Sequence, residues 1–363
     1  MLFAVILPLL LLFLAVSAYN FFTAPRIEGL RASSGARPLV SVLVPARNEE
    51  QKIGDCLQSI EGLTYGNLEV IVYDDASTDG TAALVEERCR AAKNLKLIRG
   101  GKKPEGWNGK SWACVNLARA ACGEVLLFVD ADVVLSPSVL GSTVPVLLER
   151  EIALLSCFPH QVMRSAGEWC LVPLMHWILL SLLPLSFVYK APNPSLSAAN
   201  GQFMLFRRDA YEAIGGHEAV KNALVEDVAF AHALKRAGRK VLTCITRSAV
   251  TCRMYTGFAE GLWGFSKNFY PGFAMPKPVF LVFIGVLFTA YMVPLVGVFF
   301  DQWYWVAVAA IIFIRALIAA AAGQNVPLTI MLHPVQMVCM VAVGIASVAA
   351  YATGRVTWKG RRV

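Results

Sequence analysis

The stretch Gly123-Glu124-Val125-Leu126-Leu127-Phe128-Val129-Asp130-Ala131-Asp132-Val133 decides the fold. Glu124 to Val129 is a short run rich in β-formers, bounded in front by a glycine, and reads as a buried strand. Two carboxylates one residue apart stand where that strand ends. In an open α/β sheet the carboxyl ends of the strands face the ligand crevice, so a site is expected at Asp130 and Asp132. Acids this close repel unless a cation or donor groups hold them, and a hard divalent ion takes one or two carboxylates plus substrate phosphates. The pattern points to a metal-diphosphate site. The structural alternative is that Asp132 or Ser136 merely caps a helix opening at Ser136-Pro137.

Working outward, Leu39 to Val44 reads as the first strand, ended by Pro45-Ala46-Arg47-Asn48-Glu49-Glu50 and followed by a helix with Ile53, Leu57 and Ile60 on one face. Leu68 to Tyr73 is the next strand, with Asp74-Asp75-Ala76-Ser77-Thr78-Asp79-Gly80-Thr81 at its carboxyl end. Ser77 or Asp79 is expected to cap the helix after it, whose apolar face includes Ala83 and Leu84. Strand Leu95 to Ile98, a glycine-rich basic loop from Gly100 to Lys110 and a helix from Ser111 to Ala121 lead back to the opening stretch. Such alternation marks parallel βαβ units and a doubly wound sheet, which brings Asp75 and Asp132 to one edge. Beyond, Ile152 to Ser156 and Asn200 to Phe206 read as strands. Arg207-Arg208-Asp209 opens a short helix broken by Gly215-Gly216, and Leu224-Val225-Glu226-Asp227 leads into a helix from Val228 to Ala237 stopped by Gly238. Glu226 and Asp227 at a helix start are explained by the dipole alone, at about 0.3–1 kcal/mol. The histidines (160, 176, 217, 232, 333) show no ligand spacing; His217 is expected either near an acceptor or as an ordinary polar loop residue.

Hydrophobicity is spread unevenly over the 363 residues, 56% of which are hydrophobic. Ala4 to Phe22 is long enough and apolar enough to cross a bilayer, and it lacks the basic n-region of a signal peptide. Arg26, Arg31 and Arg37 follow closely and favour a cytoplasmic body. The organisation expected is an anchor over 1–23, a body over 24–277 with an interfacial segment at about 167–190, and membrane helices with a basic tail over 278–363. Trp169 to Tyr189 is expected as an interfacial helix pair, because Trp169, Trp177 and Tyr189 suit the headgroup layer; a buried core helix is the alternative. Val279–Phe300, Tyr304–Ala322 and Leu328–Tyr351 are candidate spans. Three spans would put Arg355, Lys359, Arg361 and Arg362 outside, and Arg315 sits mid-span, so one segment is expected to be re-entrant or interfacial. The net charge of +8 fits anionic lipid or phosphorylated substrates rather than nucleic acid, for which no motif is present. The nine cysteines show no C-x-x-C spacing and read as reduced, mostly core thiols.

Together, Pro45-Ala46-Arg47-Asn48-Glu49, Asp74 to Thr81, Asp130-Ala131-Asp132, Asn200-Gly201-Gln202 and Glu226-Asp227 resemble the motifs of family 2 glycosyltransferases in order and rough spacing, over about Leu39 to Asn268. Gly106-Trp107-Asn108-Gly109-Lys110-Ser111-Trp112-Ala113 and Trp358-Lys359-Gly360-Arg361 look like the membrane-bound members linked to carotenoid and hopanoid pathways, and more distantly like ceramide glucosyltransferases. The resemblance implies a GT-A fold, a nucleotide-sugar donor (a UDP-sugar first) and Mg2+ or Mn2+. It assigns Pro45, Asn48 and Glu49 to the nucleoside pocket, Asp75 to the base, and Asp130 to the ribose or sugar and, with Asp132, to the metal. Lys110 falls to the donor phosphates, Gly201 and Gln202 to the acceptor side, and Asp227 to general base with Glu226 as its neighbour. The Q-x-x-R-W motif of processive synthases is absent. Arg253-Met254-Tyr255 and Trp263 to Asn268 stand in its place, with Arg253 and Lys267 facing either the diphosphate or lipid phosphates. The expectation is therefore an inverting transfer of one sugar to a membrane lipid at the cell (inner) membrane. A chain-extending polysaccharide synthase and a catalytically idle scaffold are the alternatives.

Overall fold

Apart from a two-stranded pair at Thr357–Trp358 and Arg361–Arg362, the strands are β1 (Val40–Ala46), β2 (Leu68–Asp74), β3 (Leu95–Arg99), β4 (Val125–Val129), β5 (Val133–Leu135), β6 (Ile152–Phe158), β7 (His160–Gln161), β8 (Phe203–Arg207), β9 (Lys240–Ile245) and β10 (Val250–Cys252). Seven of them build one sheet in the order β3-β2-β1-β4-β8-β6-β9. The computed structural model describes residues 2–33, 35, 37–223, 225–354, 357–358 and 361–362. Leu224, Arg355, Lys359 and Gly360 lie outside the described residues. The chain divides into a sheet unit, Pro25–His160 with Ser186–Cys252, and an apolar unit, Met1–Ala24 with Gln161–Leu185 and Arg253–Val363. The sequence carries the body on to residue 277, whereas the sheet unit ends at Cys252.

In the sheet unit β1 lies between β2 and β4 and is parallel to both, so the winding direction reverses there. That reversal opens a crevice beyond the carboxyl ends of β1 and β4, which is where open α/β sheets bind ligands. β8 runs antiparallel between β4 and β6, and Val129 faces Phe203. The α/β GT-A class expected from the sequence is the class observed. Sequence reasoning did not foresee β5, β9 or β10. The three-residue β5 follows the acids directly and pairs antiparallel with β10, setting Cys252 opposite Val133.

Local details differ from expectation where packing outvotes propensity. The second helix, Thr81–Ala91, buries Thr81 and Val85, while Ala83 and Leu84 are exposed. Its N-cap is Gly80; the Asp79 carboxylate instead accepts from the Thr81 N–H at 3.0 Å and the Thr81 hydroxyl at 2.5 Å. The helix after the two acids is Val139–Glu149 with Ser138 as N-cap. Neither Asp132 nor Ser136 caps it, so the capping account of Asp132 fails. His217 is no loop residue either. It is 1% exposed, bonds Tyr211 Oη through Nδ1 at 2.8 Å, and packs 4.7 Å from the Phe128 and Phe230 rings.

Gly123 shows why β4 begins where it does. A Cβ there would stand 2.6 Å from the Leu39 carbonyl and 2.7 Å from the Ser41 nitrogen, both backbone atoms, and the Gly123 N–H donates to Ser41 Oγ at 2.8 Å. Gly123→Ala is expected to destabilise the sheet by about 2–4 kcal/mol, since backbone must move to admit the methyl. Thermal unfolding of the purified chain in detergent measures this, and an unchanged midpoint would contradict it.

In the apolar unit four helices are long and apolar enough to cross a membrane: Leu2–Thr23, Lys277–Gly297, Tyr304–Ala321 and His333–Thr353. The candidate Leu328–Tyr351 is divided at Leu332 into the short helix Val326–Met331 and the long helix His333–Thr353. The segment expected at the interface forms helices Ala166–Leu171 and Pro173–Leu182. Trp177 is a core side chain, 0% exposed and packed edge-on to Tyr291 at 5.1 Å. Arg253 is already held, its guanidinium donating to Glu168 Oε1 at 2.7 and 3.2 Å.

Candidate active site

Two loops leave the carboxyl ends of β1 and β2 and are sewn to each other. The Asn48 N–H donates to Ser77 Oγ at 3.0 Å and Asn48 Oδ1 accepts from the Thr78 N–H at 2.8 Å. The Glu49 N–H donates to Thr81 Oγ1 at 2.8 Å, and Glu50 Oε2 accepts from the Gly80 N–H at 2.7 Å. Asn48 and Ala76 both take a positive φ of 50°, a strained conformation for residues with a Cβ that the cross-loop bonds hold in place. Asp75 is 3% exposed and its N–H donates to the Ala46 carbonyl at 2.8 Å. Arg47, to which sequence reasoning gave no role, lies 3.9 Å from the Asp75 carboxylate and donates to the Asp75 and Ala76 carbonyls. Pro45 lies within β1 opposite Tyr73.

A second cluster forms around Lys110. Asn108 caps the helix Gly109–Ala120 by accepting from the Ser111 N–H at 2.7 Å, which fixes Lys110 in the first turn. Its ammonium donates to both oxygens of Asp130, at 2.7 and 3.0 Å, and lies 3.5 Å from Glu226 Oε1. Burial works against the charge of Lys110, but Asp130 and Glu226 more than offset it and hold the ammonium protonated.

Asp227 follows Glu226 at the start of the helix Glu226–Arg236. Its Oδ2 accepts from the Gly201 N–H at 2.8 Å and its Oδ1 from the Val228 N–H at 2.7 Å. Burial, with the Glu226 charge beside it, raises its carboxyl to about 7 despite those bonds. Gly201 is where the approach is tightest: a Cβ there would meet Lys110 Nζ at 3.1 Å, Asp227 Oδ2 at 3.6 Å and Glu226 Oε1 at 3.7 Å.

Asp132 points elsewhere, toward Lys52 Nζ at 3.7 Å, a lysine that sequence reasoning passed over. Burial, then the Asp130 charge, raises its carboxyl to about 6. Its Oδ1 is buried and accepts no hydrogen bond among the described residues. The Cys252 thiol, a weak donor, stands against this carboxylate, and a buried carboxylate oxygen with no strong donor suits a cation ligand. No group of three or more His, Cys, Asp or Glu able to hold a metal occurs among the described residues; an ion completed by substrate phosphates does not need one. Gln202 is 6% exposed. Its side-chain amide lies 2.8 Å from Cys252 Sγ, and its carbonyl accepts from the Asp130 N–H at 3.4 Å. The structure thus brings Lys110, Asp130, Gly201, Glu226 and Asp227 together, sets Asp132 beside them with Lys52, and gathers Asp75 with Arg47, Asn48 and Glu49 in the paired loops. Nothing in the local sequence marks Lys52 or Arg47 as partners, because both contacts join segments far apart in the chain.

A mixed sheet whose winding reverses at β1, with carboxylates at that edge, is an α/β sheet with a candidate ligand site at its switch point. Residues 41–215, just under half of the chain, match the family model "Glycosyl transferase family 2". A 4,4'-diaponeurosporenoate glycosyltransferase of Staphylococcus haemolyticus is 27% identical over 68% of this chain and 64% of its own length. One of Staphylococcus aureus is 29% identical over 66% of this chain and 63% of its own. The chain therefore spans less than two-thirds of the length of these relatives. A mannosyltransferase of Pyrobaculum calidifontis, solved with GDP-Man and Mn2+, shares the fold with a TM-score of 0.60 at 21% identity, over 97% of this chain and 96% of that one.

Proposed function

We propose that the chain transfers a single sugar, with inversion, from a nucleotide-sugar donor to an apolar lipid acceptor bearing a hydroxyl or carboxyl group, at the membrane. The observation that carries this is Asp227: a half-buried carboxylate raised to about 7, held by the Gly201 and Val228 N–H groups, in a family 2 domain. A hydroxyl is a poor nucleophile near neutral pH, and a base of matched pKa that removes its proton contributes about 10²–10⁴-fold. Gly201 leaves room for the acceptor oxygen beside that base, with Gln202 alongside and Glu226 tuning the base by its charge. Asp75, Pro45, Asn48 and Glu49 take the nucleoside in the paired loops. Asp130 approaches the ribose or sugar, and Lys110 supplies positive charge to the donor phosphates.

Asp132, with Asp130 as the nearest second carboxylate, is the group that would hold Mg2+ or Mn2+. When bound, such an ion neutralises the charge that develops on the leaving nucleoside diphosphate. The relatives' names describe transfer to a carotenoid acid, which supports an apolar, carboxyl-bearing acceptor. Four helices suited to a bilayer support a membrane setting, with the sheet unit on the cytoplasmic side.

The pH profile tests the base and distinguishes the two acceptor types. The base works only when deprotonated, so kcat/KM on a hydroxyl acceptor should climb about tenfold per pH unit below pH 7 and level off above it. An ionised carboxylate has no proton to give up, so on a carboxyl acceptor that limb should vanish. A profile on a hydroxyl acceptor that is flat from pH 5 to 8 would remove Asp227 from the role of base.

A further inference from the structure

The apolar unit buries a positive charge that it does not neutralise. Arg315, in the helix Tyr304–Ala321, is 1% exposed. One guanidinium nitrogen donates to Gln336 Oε1, and Gln336 in turn donates to the Trp169 carbonyl at 2.8 Å. The other two nitrogens, Nε and Nη1, have no partner among the described residues.

The stretches forming this unit contain only three acids, Glu168, Glu260 and Asp301. Each is committed elsewhere. Glu168 holds Arg253 and the Ser165 N–H, Glu260 takes the Thr256 N–H and hydroxyl at 2.8 Å, and Asp301 takes the Trp303 N–H at 3.0 Å. No carboxylate side chain of this unit is left to pair with Arg315 among the described residues.

Around the guanidinium stand further buried polar groups that are only partly engaged with one another. Tyr291 and His333 lie within electrostatic reach of Arg315, and their rings are 5.4 Å apart. Trp177 Nε1 stands against Tyr291 Oη and the His333 ring against the Tyr291 backbone, and none of these buried polar atoms has a well-formed hydrogen bond among the described residues. An ionised side chain inside an apolar helical unit is costly unless paired, and a guanidinium surrounded by spare donors is matched by a carboxylate or phosphate oxyanion.

We infer that the helices Pro173–Leu182, Lys277–Gly297, Tyr304–Ala321 and His333–Thr353 form a binding site for an anionic amphiphile. Arg315 takes the oxyanion head, Tyr291, Trp177 and His333 supply flanking hydrogen bonds, and the surrounding apolar side chains take the tail. The inference stands on the apolar unit alone and does not depend on the roles proposed for the catalytic acids. Carboxylate and phosphate heads share this chemistry, so the source is a carboxyl-bearing acceptor lipid or a membrane phospholipid.

Three probes with one tail separate these cases: palmitate, hexadecanol and hexadecyl phosphate, titrated calorimetrically into the full chain in a neutral detergent at pH 8. Palmitate or hexadecyl phosphate should bind the unmodified protein about thirtyfold or more tighter than hexadecanol, the scale of losing one partner of a buried charge pair. Preference for palmitate assigns the site to a carboxyl-bearing lipid, and preference for the phosphate assigns it to phospholipid. Arg315→Gln should erase the preference and Arg315→Lys should restore part of it, with thermal unfolding of each variant followed alongside. If all three probes bind the unmodified protein within twofold of one another, the site does not exist. A preference that persists in folded Arg315→Gln would equally overturn it. The comparison of probes on the unmodified chain decides the matter even where a variant fails to fold.

Discussion

Asp227→Asn is expected to lower kcat by about 10²–10⁴-fold on a hydroxyl acceptor while leaving the unfolding midpoint close to that of the native chain. The size of the effect follows from the loss of a positioned base of near-neutral pKa. Folding should survive because an amide oxygen can still accept from the Gly201 or Val228 N–H, the two bonds that hold the side chain at 2.8 and 2.7 Å. Neutralising a carboxyl that burial already disfavours as an anion even removes a cost of the folded state. Glu226→Gln offers the contrast: its carboxylate lies 3.5 Å from Lys110 and acts on Asp227 through charge, so it should move the pH midpoint downward with a smaller loss of rate. Steady-state kinetics across pH for both variants would check this. An Asp227→Asn enzyme with a rate near native on a hydroxyl acceptor would end the assignment of roles made here.

Asp132→Asn is the second large effect. Its Oδ1 is buried and takes no hydrogen bond among the described residues, and the amide loses the charge that suits a cation. Transfer should fall by about 10²-fold or more, the scale of removing one electrostatic stabiliser of developing charge. The independent readout is Mn2+ binding followed by paramagnetic resonance in the presence of nucleoside diphosphate, where the variant should bind at least tenfold more weakly. Chelation of the native chain should abolish transfer, with Mn2+ or Mg2+ restoring it. Unaltered Mn2+ binding by the variant would place the ion elsewhere.

Several features lay open in the chain because they are short-range. The run Val125–Val129 forms a strand since five β-forming apolar residues bury both faces, and the acids at its end follow by geometry. The helix Glu226–Arg236 was placed to within two residues, with Gly238 at a positive φ of 70° stopping it as a glycine can. Lengths of apolar sequence marked the four long helices, since crossing a bilayer demands about 20 such residues whatever their neighbours.

The amino-acid sequence by itself settled the α/β class, the strand ends on which Asp75, Asp130 and Asp132 sit, and the apolar character of both chain ends, because periodicity and motif order are properties of neighbouring residues. Tertiary structure alone decided the partners. Lys110 bridges Asp130 to Glu226, Lys52 faces Asp132, Arg47 braces Asp75, Trp177 is core, and Arg315 is buried without an acid. Each of these depends on where segments distant along the chain meet, and charge pairing and burial are set by that meeting rather than by local pattern.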